Sequence, residues 1–181
     1  MAPELDETVF GVVGVTPAVL RGVYAALPSD LLDDAVDDCW SPRYVLAHLL
    51  DTEDVIVGRL RRLVAEDRPL IQSIDAPARV NQSGYLADNV ESLLSEFEAR
   101  HIENIAWLRK LSAAQLARLG EHDTAGEISA ADHAYQWAYH DLMHLKQAVS
   151  MVQHRLERGM GNTLRFTSTS EPSTDRQEVI S

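Results

Sequence analysis

Tyr139-His140-Asp141-Leu142-Met143-His144-Leu145-Lys146-Gln147 reads as the interior of a long helix carrying two histidines four apart. At 3.6 residues per turn, His140 and His144 stand one above the other on a single face. Two imidazoles so placed can share one metal ion, and a mononuclear site needs at least one more ligand. Far upstream, Trp40-Ser41-Pro42-Arg43-Tyr44-Val45-Leu46-Ala47-His48 offers it. Ser41-Pro42 is a helix start, a capping hydroxyl followed by proline at the first helical position, and His48 lies two turns in. The pattern predicts a three-histidine metal site, His48, His140 and His144, built between two helices.

The rest of the chain reads in the same terms. Thr16-Pro17 looks like another helix start, with apolar residues following to Leu27 and Pro28 as the stop; Val9–Val15 extends the pattern upstream, with Gly11 and Gly14 weakening it. Residues 28–40 are acidic and turn-like. From Ser41 to about Asp67, Val45, Leu49, Ile56, Leu60 and Leu63 recur with helical period. Residues 68–84 contain Pro69, Pro77 and Gly84 and read as a long loop, of a length that often serves function. A third helix covers roughly Leu86–Leu111, and a polar link with Gly120 and Gly126 follows. A fourth helix runs from near Ser129 to about Arg158, with Gly159 as its stop. No strand is predicted, and no internal repeat is visible. Four long amphipathic helices predict an all-α four-helix bundle over residues 1–160, followed by a polar tail, 161–181, whose Ser/Thr-rich end Thr167–Ser181 has too little apolar content to fold alone.

On a helical wheel of the fourth helix, Ala130, Ala134, Trp137, Ala148 and Val152 mark the buried face, with His133, His140, His144 and Met151 along its edge. Asp141 points into the middle of that face. A carboxylate there must be paired or neutralised, so Asp141 reads either as an acceptor that orients a ligand imidazole such as His48, or as a structural acid. On the second helix Glu53 falls within the apolar stripe, as a further ligand, a general base or, by preference, the partner of Arg100. His101 falls among Phe97, Ile105 and Leu108 and is left outside the ligand set. His133 is two turns from His140 and a weaker candidate; His122 and His154 read as surface residues.

Composition narrows the function classes. The 181 residues are 45% hydrophobic and 24% charged, an ordinary balance for one globular domain with a sizeable core. A net charge of −12 and the absence of a basic cluster argue against nucleic acid as a partner. No apolar run of transmembrane length and no leader pattern are read, so no membrane partner is expected. The single cysteine, Cys39, cannot form an internal disulfide and suggests a reducing, cytoplasmic setting.

The chain resembles the DinB/YfiT superfamily of metal-binding four-helix bundles. The matching residues are Trp40-Ser41-Pro42-Arg43, His48-Leu49 with Glu53, Arg100, and His140-Asp141-Leu142-Met143-His144-Leu145 with Gln147; the likeness spans roughly Pro17–Leu156. It implies an up-up-down-down-like bundle, often homodimeric, holding one divalent transition metal on His48, His140 and His144. Zinc and nickel lead among the ions such ligands suit, with iron, manganese and copper also compatible. Members with assigned activities are thiol-dependent, among them bacillithiol transferases and mycothiol-dependent maleylpyruvate isomerases. By that resemblance the chain is expected to be a metal-dependent thiol S-transferase or related detoxification enzyme. The metal would activate a low-molecular-weight thiol against a small-molecule substrate; the isomerase reading is weakened because no appended domain is read here. The alternatives are a metal-dependent hydrolase, with Glu53 or Asp141 as weak candidates for moving protons, and a non-catalytic metal-stabilised bundle. A protease reading of His140-Asp141-Leu142-Met143-His144 fails because Asp141 points to the core rather than to the metal.

Overall fold

Side-chain caps set most of the element starts. In the computed structural model, which describes residues 4–35 and 40–167, α1 (Glu7–Ala25) begins at Asp6, whose carboxylate accepts from the Thr8 amide. Next, α2 (Pro42–Ala65) begins at Ser41, capping Tyr44, with Pro42 in the first turn as the sequence predicts. Two-residue β1 (Leu70–Ile71) leads to α3 (Ala76–Ser83), capped by Asp75. Asn89 caps α4 (Val90–Leu108), and Ser112 starts the single turn α5 (Ala113–Leu116). The hairpin β2 (Leu119–His122) and β3 (Gly126–Ser129) then feeds α6 (Ala130–Met160), where Ser129 and Asp132 form a reciprocal capping box.

The four long helices, α1, α2, α4 and α6, form the bundle. Helix α1 packs against α4 and α6, and α2 packs against the same two. Chain neighbours α1 and α2 therefore sit diagonally across the bundle, and so do α4 and α6. Between them lie two separate apolar clusters. One gathers Val13, Ile56, Leu60, Leu108, Trp137 and Ala138. The other gathers Leu20, Leu49, Leu50, Phe97, Leu145 and Ala148.

Several sequence expectations are corrected here. Pro17 does not start α1; it lies inside the helix, ten residues after its first. Residues 68–84 are not one long loop, because α3 is tied to α2 by a two-pronged Arg79–Asp51 pair at 2.9 Å and by the Tyr44 hydroxyl donating to Pro77 O. The polar link contains strands, and β1–β2–β3 form a small sheet, parallel at its first pairing and antiparallel at its second. Gly120 makes that sheet fit: a Cβ there would lie 2.6 Å from Leu63 Cδ2 and 2.8 Å from Pro69 O. Helix α6 passes Gly159 and ends at Gly161, which takes φ +53. A 3₁₀ segment over 161–166 follows, and the remaining tail, 168–181, lies outside the described residues, as does Cys39. By length and composition α1 meets the test for a membrane span, with mean hydropathy 1.4. In the fold it is a core helix that buries Val9, Val13, Leu20 and Tyr24.

Candidate metal centre

Helices α2 and α6 bring the three predicted histidines together. One ligand atom from each of His48, His140 and His144 can be chosen so that all lie within 4.8 Å of one another. His48 Nε2 and His140 Nε2 are 3.2 Å apart. Two nitrogens on one tetrahedral ion at metal–nitrogen distances of about 2.0–2.1 Å would stand about 3.3 Å apart, so this pair already has the spacing of shared ligation. His48 and His144 are buried and His140 is half-buried, leaving one side of the group towards solvent.

The surroundings hold these rings neutral. Burial pushes the His48 pKa down to about 4, with a further push from His144. Burial and repulsion from His144 and His48 take His140 to about 3, and burial also lowers His144. An unprotonated imidazole keeps the lone pair that a metal needs, so the donor set fits a divalent transition ion. His144 Nδ1–H donates to Gln147 Oε1 at 3.0 Å, one turn along α6, which leaves Nε2 as the ligand atom. The Thr52 hydroxyl lies 3.2 Å from His48 Nδ1 and 3.4 Å from Nε2, too even a contact to choose between them. Trp40 closes the α2 side, stacked parallel to His144 at 6.1 Å and edge-on to His48 at 4.8 Å.

Glu53 and Asp141, the two candidate proton carriers, do not join this group. Glu53 Oε2 lies 2.9 Å from His101 Nδ1, and Glu53 Oε1 accepts from Asn104 Nδ2 at 2.9 Å. Its predicted partner Arg100 pairs instead with Asp54 and Glu96, because those carboxylates are exposed beside it while Glu53 is turned inward. Asp141 faces His101 rather than His48, with Oδ2 3.3 Å from His101 Nε2. That Nε2–H is aimed at Val13 O, 2.8 Å away, so Asp141 makes a charge contact and its Oδ2 has no hydrogen-bond partner among the described residues.

His101, expected on an apolar face and outside the ligand set, lies there and takes part in a polar layer that the pattern did not show. It is fully buried, and its two ring nitrogens face a carboxylate and a peptide carbonyl, groups that accept. Both nitrogens therefore carry hydrogen and the ring is a cation. Burial alone would lower its pKa, but contact with Asp141 and Glu53 outweighs that and raises it to about 10. The carbonyl it uses is free because of Pro17: the residue four after Val13 has no N–H to give. A proline inside a helix opposite a core histidine was the available signal.

The remaining histidines lie apart from the three. His133 is buried, burial lowers its pKa to about 4, and its Nε2 has no partner among the described residues. His122 is more enclosed than the surface position expected for it, while the His154 side chain is 40% exposed. The former accepts from the Thr124 and Ala125 amides at Nδ1, and the latter lies 3.5 Å from Glu157.

Comparison with known proteins agrees with this architecture. The chain belongs to the DinB superfamily, whose sequence profile matches residues 15–148. A protein of Oceanobacillus iheyensis, named as a candidate metal-dependent hydrolase, is 27% identical over 140 residues, covering 77% of this chain and 81% of that protein. YfiT from Bacillus subtilis, described as a probable metal-dependent hydrolase with an unusual four-helix bundle topology, matches with a TM-score of 0.74. The match is 23% identical and covers 86% of this chain and 87% of YfiT, a likeness of fold.

Proposed function

We propose that this protein is a metal-dependent hydrolase of small molecules that holds one divalent ion, zinc or nickel, on His48, His140 and His144. The observation that carries the reading is a group of three imidazoles, kept neutral by burial, with ligand atoms within 4.8 Å and one member, His140, only half-buried. The hydrolase description of the Oceanobacillus relative supports it. An ion bound there would supply Lewis-acid chemistry, polarising a substrate oxygen and drawing the proton from water or a thiol. The protein's own part is to present His144 Nε2 through Gln147, to wall the α2 side with Trp40, and to leave the His140 side accessible.

A second reading, the thiol S-transferase, is favoured by one specific feature. Glu53 and Asp141 are both committed to His101, so neither carboxylate is free as a general base beside the triad. A thiol, more acidic than water, has less need of one. The homodimer and a cytoplasmic setting belong to the same proposal. Leu142, Val149 and Leu156, exposed at seven-residue intervals on α6, offer an apolar seam for a second copy.

Metal analysis of tag-free protein tests the site, with one ion per chain expected in the wild type and none in His144→Ala. Full occupancy in that variant would sink the site. Cobalt-loaded protein then separates the chemistries. Turnover of ester or amide substrates with no response to thiols supports the hydrolase, whereas a sulfur-to-cobalt charge-transfer band on adding a thiol overturns it in favour of the transferase.

A further inference from the structure

The two apolar clusters of the bundle are separated by a layer of polar side chains. Thr16 lies between Val13 and Leu20 on α1, and Glu53 between Leu50 and Ile56 on α2. His101 lies between Phe97 and Leu108 on α4, and Asp141 between Ala138 and Leu145 on α6. All four are buried, and all four long helices contribute. The contacts cross the bundle in every direction that matters: α4 to α2 through His101–Glu53 at 2.9 Å, α4 to α1 through His101–Val13 O at 2.8 Å, and α4 to α6 through His101–Asp141 at 3.3 Å.

We propose that the Glu53–His101–Asp141 layer is the register lock of the metal site, fixing α2 against α6 so that His48 meets His140 and His144. The proposal rests on the metal reading above. Glu53 follows His48 by five residues on α2, and Asp141 directly follows His140 on α6. His101 touches both carboxylates, so one side chain on a third helix sets the relative height of the two ligand-bearing helices. Apolar contacts cannot do this with the same sharpness. A slide by one turn, about 5.4 Å, exchanges one apolar side chain for another, and α6 offers small, interchangeable alanines at 130, 134, 138 and 148. The same slide would separate His48 from His140, now 3.2 Å apart, and would leave the buried polar side chains of Glu53, His101 and Asp141 without the contacts they now make. Buried ionic groups are poor sources of net stability beside well-packed apolar ones, and fixing register is the best attested use of such groups. Glu53, His101 and Asp141 are thus positioning residues that act through the ligands.

The test separates positioning from stability. Wild type and the triple variant Glu53→Leu/His101→Leu/Asp141→Leu are titrated with Co²⁺ alone at a temperature where both are folded, and each is unfolded in urea. The lock predicts a variant of equal or greater stability whose cobalt affinity falls by roughly tenfold or more, with weakened and broadened visible bands. Wild-type affinity and spectrum in the folded variant would overturn the lock while leaving the metal reading intact. A wild type that takes up no cobalt overturns the metal reading and the lock with it. Should the triple variant not fold, Glu53→Gln takes its place, since it keeps the shape while removing the charge that faces His101. A cobalt affinity reduced about threefold or more in folded Glu53→Gln supports the lock, and an unchanged affinity overturns it.

Discussion

Four histidines on neighbouring levels of one bundle end in opposite chemical states. In the triad, His48, His140 and His144 face one another, and the pull of Asp51 on His48 is smaller than the effects of burial and of His144. Burial lowers the pKa of all three, and repulsion among the rings lowers His48 and His140 further. Beneath it, His101 is more deeply buried than any of them and still holds both protons, because Glu53, Asp141 and Val13 O surround it with acceptors. Depth alone does not decide the charge of a buried imidazole; the neighbours do. The first arrangement prepares lone pairs for a cation, and the second supplies a cation of its own.

The sharpest way to break this contrast is to remove each kind of histidine from metal-free protein. His101→Leu leaves Glu53 and Asp141, whose carboxyl burial already pushes up, without the partner they share, and should cost about 3–5 kcal/mol in urea unfolding. His48→Ala removes a neutral ring from a half-open site and should cost clearly less. Equal costs would mean that His101 is not a structural cation.

The pH dependence of stability should show the two groups with opposite signs. The folded pKa of His101, about 10, lies above the ordinary 6.5. Its contribution is complete below pH 6.5 and fades as pH rises through 10. The folded values of His48 and His140, about 4 and about 3, lie below it. The unfolded chain takes up protons there first, so metal-free protein loses stability as pH falls from 6.5 towards 4. His140→Ala should flatten the acid limb and leave the alkaline limb in place; an alkaline limb that vanishes in His140→Ala would assign it to the wrong group.

The smallest expected effect concerns Pro17. Pro17→Ala returns an N–H to compete for Val13 O, but a carbonyl can accept two hydrogen bonds, and the helix gains a regular residue. Unfolding stability should change by no more than about 1 kcal/mol. A larger loss would show that His101 needs that carbonyl to itself.

Much of this molecule was legible in the chain. The i,i+4 spacing of His140 and His144, the Ser41-Pro42 start that places His48, and four apolar periodicities are local properties, and local backbone geometry carries them unchanged into the fold. Gly120 and the small sheet were not legible, since two- and four-residue strands show no periodicity and the need for glycine comes from Leu63 and Pro69 across a packing contact. Glu53 was read as buried, but its partner is His101 and not the expected Arg100.

By itself, then, the sequence determined which helix faces are largely apolar and that His140 and His144 share one face, because both follow from the 3.6-residue turn. It could not determine the charge of His101, the commitment of Glu53 and Asp141, or the place of Pro17 inside α1. Each of those depends on atoms from other helices: the carbonyl that Pro17 frees on α1 is filled from α4, and the proton count of His101 is set by carboxylates on α2 and α6. Electrostatic state and hydrogen-bond satisfaction belong to the assembled bundle, and only the tertiary structure decided them.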